Sequence, residues 1–577
     1  MSLKPFFLAL ALLPTVVCAY AQPGLMNNKG ALVYTAPNSI VKVKGSFNND
    51  QDGVFQNKGT TTVDSSFFNN GLSEKSGFYR VGKDWVNNHI FISDSSQAFL
   101  FGNNQFIRGD SVTRYWILEL QGTGVKTQQI NSFVKDSLRL NDRELATDIH
   151  YMHVLNPDTG AITRSTGFVS SLGAGKLLRN TDQSLAYLFP TGSSLGTVRY
   201  RPVTLRPGTA AAHTFGVRMA NNNATLDGYD RSLVDSFVCR TNPFFYHLIS
   251  RNAGTADADV RVFYNLPADS LWDGLAHWEY PVPSGRWHDL SAVTYTPANP
   301  LSSVTKAAWP QFDPQPFILS RIRPGVPKIE GPDTVCGSKP QLYTGIPENQ
   351  TWVYNWTINN GAVTSTPAVN EAIVLWNGAG GPGSVTLTVT AQNGCTSFPD
   401  VMNVLVHPQV VAAFNFSPNG GFGSGPVVFA DQSQNANGWD WTFGDNNGSH
   451  LQNPTHIYNV AGNYHIVLVA TSPEGCKDTA DASIGITDGI KIPNIFTPND
   501  DGVNDLFVVS ISGYENYRCS IFNRWGNLMF ETEAPQISWD GTTAAGTLVP
   551  TGTYFCVIEF KTPTGPFTYK GTVNVHY

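Results

Sequence analysis

The chain has 577 residues, a formal net charge of −7 and 14% charged residues, set against 53 Gly, 36 Pro, 34 Phe and 21 Tyr. At about 100–200 residues per domain this length exceeds a single core and predicts about three to five domains. The mild, dispersed acidity leaves no basic stripe and gives no expectation of nucleic acid as a partner, while Asn/Gly turns, Thr and alternating Val, Tyr and Phe, without charge-rich helical runs, predict an all-β chain.

The first residues read as a leader. Lys4 supplies a short positive region, Phe6–Val17 is continuously apolar, and Ala19-Tyr20-Ala21 is a small-x-small cleavage site. A signal peptide over 1–21 is expected, with the mature chain starting near Gln22; the run is too short to anchor in a bilayer. Val17 precedes Cys18 where a lipid-attachment motif calls for Gly or Ala, so lipidation is not expected. No later stretch is apolar enough to span a membrane. An exported chain is permitted disulfides, and none of Cys239, Cys336, Cys395, Cys476, Cys519 and Cys556 forms a C-x-x-C pair of the zinc or redox kind.

Residues 22–183 look repetitive. Asn28-Lys29-Gly30 recurs as Asn57-Lys58-Gly59, Phe47-Asn48-Asn49 recurs as Phe68-Asn69-Asn70, and Asn87-Asn88 follows Trp85. Short strands between Asn/Gly corners, at a period of about 20 residues, predict a β-solenoid whose rungs stack because none can bury its apolar face alone. Asn suits such corners by tolerating left-handed backbone and by laddering its amides. The alternative is a meandering sandwich with similar turns. Residues 184–325 change texture, and strands such as Val198–Val203 and Asp259–Tyr264 predict a β-sandwich.

Three constellations in this half invite a chemical reading. Gly192-Ser193-Ser194-Leu195-Gly196 matches G-x-S-x-G, but a strand rather than a helix follows it, which favours a hairpin loop over a nucleophile elbow. His150 and His153, with Asp148, would share a face only on a helix, and the period here is not helical. Trp272, Trp278 and Trp287, with Tyr280 and Asp273, could stack on sugar rings or anchor a core. No carboxylate pair stands out as a glycosidase acid and nucleophile.

In residues 326–408, Trp352, Tyr354 and Trp356 alternate on one strand, as do Val385, Leu387 and Val389. With Cys336 near the start and Cys395 near the end, this segment resembles a PKD-like, immunoglobulin-type module, and the resemblance implies a Cys336–Cys395 disulfide. Residues 409–488 carry Trp439-Asp440-Trp441-Thr442-Phe443-Gly444-Asp445, then Asn453-Pro454-Thr455-His456-Ile457-Tyr458, then Gly462-Asn463-Tyr464-His465-Ile466-Val467. Trp441 and Phe443 sit on one strand face and suit a core, while Gly444 and Gly462 suit turns. The order and spacing resemble the PKD (polycystic-kidney-disease) domain, a spacer and interaction module.

Residues 489–577 hold Phe496-Thr497-Pro498-Asn499-Asp500-Asp501-Gly502-Val503-Asn504-Asp505, Phe522-Asn523-Arg524-Trp525-Gly526, Trp539-Asp540-Gly541 and Gly552-Thr553-Tyr554. Together these resemble the gliding-motility-associated C-terminal domain of Bacteroidetes, the type B sorting domain of the type IX secretion system, an immunoglobulin-like β-sandwich. The resemblance implies as partners the secretion machinery and an outer-membrane component near it, and a final location on the cell surface or outside. Asn499, Asp501 and Asp505, with the Val503 carbonyl, have the oxygen chemistry of a calcium loop, though no Glu closes an EF-hand. The alternative is a set of Asx-turns. Cys519 and Cys556 are a candidate bridge, whereas Cys239 and Cys476 have no obvious partner and suit buried thiols.

The expectation is therefore an exported, multi-domain surface protein with adhesive or structural work and no catalytic site. A carbohydrate-binding accessory protein is the alternative, and a secreted hydrolase with an unfamiliar catalytic region a further one. The outward ligand would be a surface glycan, a matrix component or another copy of the chain.

Overall fold

The computed structural model describes residues 24–577 apart from 267, 280–283, 419–420, 423–424, 488–490, 511–514, 535 and 563–564. The expected signal peptide and Tyr280 lie outside the described residues. Regular structure among the described residues is strand, with two short 3₁₀ turns, Thr159–Ala161 and Ala224–Asp227, and no α-helix. The chain divides into two compact units. One takes the chain as far as Pro327 with Asn349–Asn355 and Thr388–Asp400; the other takes Lys328–Glu348, Trp356–Leu387 and Val401–Tyr577.

The first unit opens as a β-solenoid. Eight parallel strands form one sheet in chain order, from Gly24–Asn28, Gly45–Asn49, Phe67–Asn69 and Trp85–Asn87 to Phe168–Ser170. A second sheet also starts in parallel, from Ile40–Val43, Thr60–Val63, Phe78–Val81 and Gln97–Leu100 to Lys176–Thr181. The register follows the alternation of the sequence. Val43, Val63, Val81, Leu100 and Leu120 are successive partners and all are buried, while Lys42, Thr62, Arg80, Phe99 and Glu119 form the neighbouring row on the opposite face. Full burial of each Val or Leu contributes about 1.5–3 kcal/mol. Phe47, Phe67 and Trp85 stack beside them with ring centroids 5.6 and 4.9 Å apart.

The Asn corners form two amide ladders. Inside, Asn28 donates to Asn49 (2.7 Å), Asn49 to Asn69 (3.2 Å) and Asn69 to Asn87 (2.8 Å). Outside, the direction reverses: Asn48 donates to Asn27, Asn70 to Asn48 and Asn88 to Asn70, at 2.9, 2.6 and 2.6 Å. The aligned unit differs by one residue from the sequence repeat, because Phe47-Asn48-Asn49 registers with Phe67-Phe68-Asn69. None of these corner asparagines has positive φ; laddering, not left-handed backbone, selects them. Glycines stack at another corner, where a Cβ on Gly102 would sit 1.8 Å from the Gly82 carbonyl oxygen.

The parallel rungs end at Thr181, close to the expected 183, but their sheet continues. Lys176–Thr181 pairs antiparallel with His213–Ala220, and the same sheet runs on through Tyr246–Ala253, Pro316–Ile322, Gly274–Trp278 and Trp287–Asp289. A five-stranded antiparallel sheet, Tyr187–Phe189, Val203–Pro207, Ala258–Asn265, Leu301–Trp309 and Val293–Thr296, contributes to the same core, which extends from Val43 to Leu319. The division expected at 183/184 thus falls inside one sheet and one core. The physical reason is the edge: an open parallel strand exposes unpaired amides and carbonyls, which an antiparallel strand satisfies.

In the second unit, Lys328–Glu330, Pro340–Ile346, Glu371–Trp376 and Gly361–Ser365 form a four-stranded sheet, and Thr334–Cys336 pairs in parallel with Asp400–His407. Residues 409–487 make a two-sheet module around Val427, Phe429, Trp441, Phe443, Ile466 and Leu468. Trp441 donates to the Leu451 carbonyl (3.0 Å) and Tyr458 to that of Phe443 (3.0 Å). Gly444 turns the chain at φ +82°.

The cysteines correct the expected pairing. Cys336 is bonded to Cys476 and Cys395 to Cys239, with Cα atoms 5.7 and 6.0 Å apart, so the Cys336–Cys395 bridge is not formed. Each bond stays within one unit, whereas Cys336 and Cys395 belong to different units. Cys519 and Cys556 are buried free thiols rather than a bridge. Their strands pair Cys519 with Ile558 and Ile521 with Cys556, which makes the two cysteines diagonal neighbours. Diagonal Cα atoms stand about 7–8 Å apart, beyond the span of a disulfide.

Candidate functional site

The last module is a five-stranded sheet, in the order Ile495–Phe496, Gly565–Val575, Gly552–Thr562, Glu515–Phe522 and Leu528–Thr532, with the pair Phe507–Ser510 and Gln536–Trp539 beside it. The sorting motif divides by role. Phe496, Trp539 and Tyr554 are buried; the Trp539 ring lies 5.3 Å from Phe496 and 5.5 Å from Tyr554. The Trp539 indole donates to the Thr542 carbonyl (2.7 Å), and the Tyr554 hydroxyl to that of Pro550 (2.8 Å). Asp540 accepts from the Thr542 amide and hydroxyl at 2.9 and 2.7 Å. Gly541, at φ +77°, closes against Pro498, whose Cγ would stand 3.0 Å from a Cβ there. Gly552 opens its strand opposite Val575.

The second motif is a tight turn. The Asn523 side chain accepts from the amides of Trp525 (2.9 Å) and Asn527 (3.0 Å), and Gly526 takes φ +81°. Arg524 stands 5.9 Å over the Trp525 ring, and that ring is 80% exposed.

The loop from Thr497 to Asp505 brings together Asn499, Asp501, Val503 and Asp505. Asp505 accepts from the amides of Asn499 (3.1 Å) and Gly502 (2.7 Å). Asp501 accepts from the Val503 amide (2.8 Å) and the Asn499 side chain (3.1 Å), and Asn499 Oδ1 accepts from the Asp501 amide (3.3 Å). The Val503 carbonyl accepts from the Thr497 hydroxyl (3.2 Å), and Thr497 donates its amide to Asn504 (2.7 Å). This arrangement is a set of interlocked Asx-turns, in which the carboxylate oxygens keep lone pairs beyond the amide bonds they accept. No group of three or more His, Cys, Asp or Glu among the described residues is placed to hold a metal ion.

The other constellations come apart. Gly192–Ser193 pairs with Arg199–Tyr200 as a hairpin, and no helix follows it. His153 lies on the strand Tyr151–Val154 against Asn180 (2.8 Å), and burial holds its pKa below the usual range despite that bond. Trp272, Trp278 and Trp287 are 4%, 7% and 0% exposed and belong to the core. What sequence reasoning missed is buried polarity. Arg201 and Asp269 form an enclosed ion pair, and His247 lies 2.9 Å from the Arg201 carbonyl. Lys126, fully buried, donates to the carbonyls of Gly102 (2.7 Å), Asn103 (2.7 Å) and Thr123 (3.0 Å), and burial pushes its pKa down to about 8. Apart from Thr123, these partners are distant in sequence and leave no local pattern.

Residues 490–575 match the CHU_C Type IX secretion signal domain, and residues 426–487 match the PKD domain. Among solved structures, the PKD1 domain of the Vibrio cholerae metalloprotease PrtV is similar at 27% identity, over 14% of this chain and 96% of that one, with a TM-score of 0.13. The PKD1 domain of Vibrio anguillarum Epp is similar at 22%, over 14% and 93%, with a TM-score of 0.12. The fibronectin(III)-like modules of Clostridium thermocellum CbhA are similar at 13%, over 28% and 95%, with a TM-score of 0.18. No curated protein matches the chain. No helix among the described residues is long and apolar enough to cross a membrane. The chain carries a PKD domain and a type IX secretion signal domain, and it is a cargo of that secretion system, exported to the cell surface or the extracellular space.

Proposed function

We propose that the exported chain does adhesive or structural work at the cell surface and performs no catalysis of its own. In this reading the unit built on the solenoid is the outward part, residues 326–408 and 409–488 are spacers, and residues 489–577 address the chain to the secretion machinery and its outer-membrane component. The observation that carries it is the repeating solenoid face, on which Lys42, Thr62, Arg80, Phe99 and Glu119 stand in one row, one per rung. Such a row suits a repetitive or extended surface better than a small substrate, which takes a concave pocket. Carbohydrate binding loses its expected platform, because the tryptophans that would stack on sugars are buried.

The test compares attachment of cells making the whole chain, none of it, or the chain with Arg80→Glu and Phe99→Ser, at equal surface levels measured with antibody. Attachment that falls without the chain and with the double variant supports the proposal. Attachment indifferent to the whole chain overturns it.

A further inference from the structure

The sheet of the secretion signal domain has two faces. On one, Cys519, Ile521, Cys556 and Ile558 are fully buried. An antiparallel sheet covered on one side alternates to polar residues on the other. Here the other face departs from that rule at one end. Phe522 stands opposite Phe555 on one neighbouring strand and Leu528 on the other, and Phe555 and Leu528 are each 49% exposed. Val557 follows opposite Ser520. Trp525, at the tip of the adjoining turn, is the most exposed large apolar side chain described.

Toward the other end the face turns polar. Arg518 donates to Glu531 (2.9 Å), Ser520 donates to the same carboxylate (3.0 Å), and Glu559 is opposite Arg518. These groups, with Phe522, Leu528 and Val557, line a groove of about 350 Å³. Its single cation, Arg518, stands against two carboxylates, Glu531 and Glu559, so the polar end carries a net charge of −1 beside an apolar end that an occupant can cover. Leu528–Thr532 is the edge strand of the sheet and, among the described residues, keeps one row of backbone groups outside any ladder.

We propose that this face is where the secretion machinery reads the domain. The occupant is a protein component of that machinery presenting an extended apolar segment, which lies along the Leu528–Thr532 edge and packs on Trp525, Phe522, Leu528 and Phe555. The proposal rests on the match to a secretion signal domain, because a signal must be bound by a protein to act. An exposed apolar patch rimmed by polar groups marks such an interface, an open edge accepts an added strand, and an exposed Trp is the residue type that most often dominates binding.

The experiment uses the full chain in cells of its own kind. Four forms are compared: wild type, Trp525→Ala, Phe555→Thr with Leu528→Thr, and a chain truncated after residue 486. Surface and medium levels are measured against the amount held in the cell envelope, and a photocrosslinker is placed at position 525 or, as a control, at Gln536. The expected result is a loss of export of about tenfold or more for both substituted forms, unchanged melting of purified Trp525→Ala protein, and a crosslink to a machinery protein from 525 but not from 536. Wild-type export of both substituted forms, with export lost on truncation, overturns the surface and leaves the signal assignment standing. Export that survives truncation overturns the assignment itself. If a variant melts early, the crosslink in the otherwise unaltered chain decides: its absence, or a crosslink only to lipid, overturns the proposal.

Discussion

Cys336 and Cys476 lie 140 residues apart in sequence and are bonded, with their Cα atoms 5.7 Å apart. The bond ties the strand Thr334–Cys336 to the turn that precedes Lys477–Thr487. Peptide mapping of the exported protein without reduction is expected to recover Cys336–Cys476 and Cys239–Cys395. Recovery of a Cys336–Cys395 peptide would contradict this fold. Replacing both Cys336 and Cys476 by Ala should lower stability by about 2–5 kcal/mol, read from denaturant unfolding.

Cys519 and Cys556 should resist thiol reagents in the native protein. Burial pushes the Cys519 thiol up to about 12 and raises that of Cys556 as well, and the thiolate is the reactive form. Alkylation at neutral pH followed by mass spectrometry should label neither residue before unfolding and both afterwards, without any reductant.

Asn49→Ala should be among the most damaging single changes in the solenoid. Asn49 is fully buried, accepts from Asn28, and donates to Asn69 (3.2 Å), the Leu72 carbonyl (2.9 Å) and Ser73 (3.3 Å). Its removal strands these partners at about 1–3 kcal/mol for each buried group left unpaired. Asn48→Ala, in the outer ladder, should cost much less. Thermal melting of the two variants tests the contrast.

His247 sets an acid limit. Burial first, and the Arg201 charge with it, push its pKa down to about 4 from an ordinary 6.5, against an opposing hydrogen bond to the Arg201 carbonyl. The unfolded chain therefore takes up a proton that the folded chain refuses. Nothing is lost above pH 6.5; as pH falls toward 4, stability should decline by an amount approaching about 3 kcal/mol. His247→Gln, which cannot take up that proton, should flatten this limb of the stability curve relative to its own value at neutral pH.

Local pattern carried much of this molecule. The Asn corners foretold both rungs and ladders, because each rung repeats the same side chain at the same place. Trp441, Phe443 and Gly444 declared their strand and turn through alternation and through a backbone angle that suits glycine. Distant pairing was not legible in the same way. Six cysteines allow 15 connectivities, and nothing near Cys336 points to Cys476. The continuation of the solenoid sheet from Lys176–Thr181 into His213–Ala220 depends on an edge that needs covering, a property of the stacked rungs rather than of any segment. Trp272, Trp278 and Trp287 read equally as platform or core until their burial is known. The loop at 499–505 likewise offers the same oxygens to a cation or to its own amides; the amides bond to them in the structure without using every lone pair.

Export of this chain rests on residues 490–575. The most direct measurement is antibody against the mature N-terminal region, applied to intact cells and to medium, for strains making the whole chain or the chain truncated after Ile486. The expected result is surface or medium signal from the whole chain and its loss on truncation, with the truncated chain retained inside the envelope. Unchanged export of the truncated chain would contradict the claim.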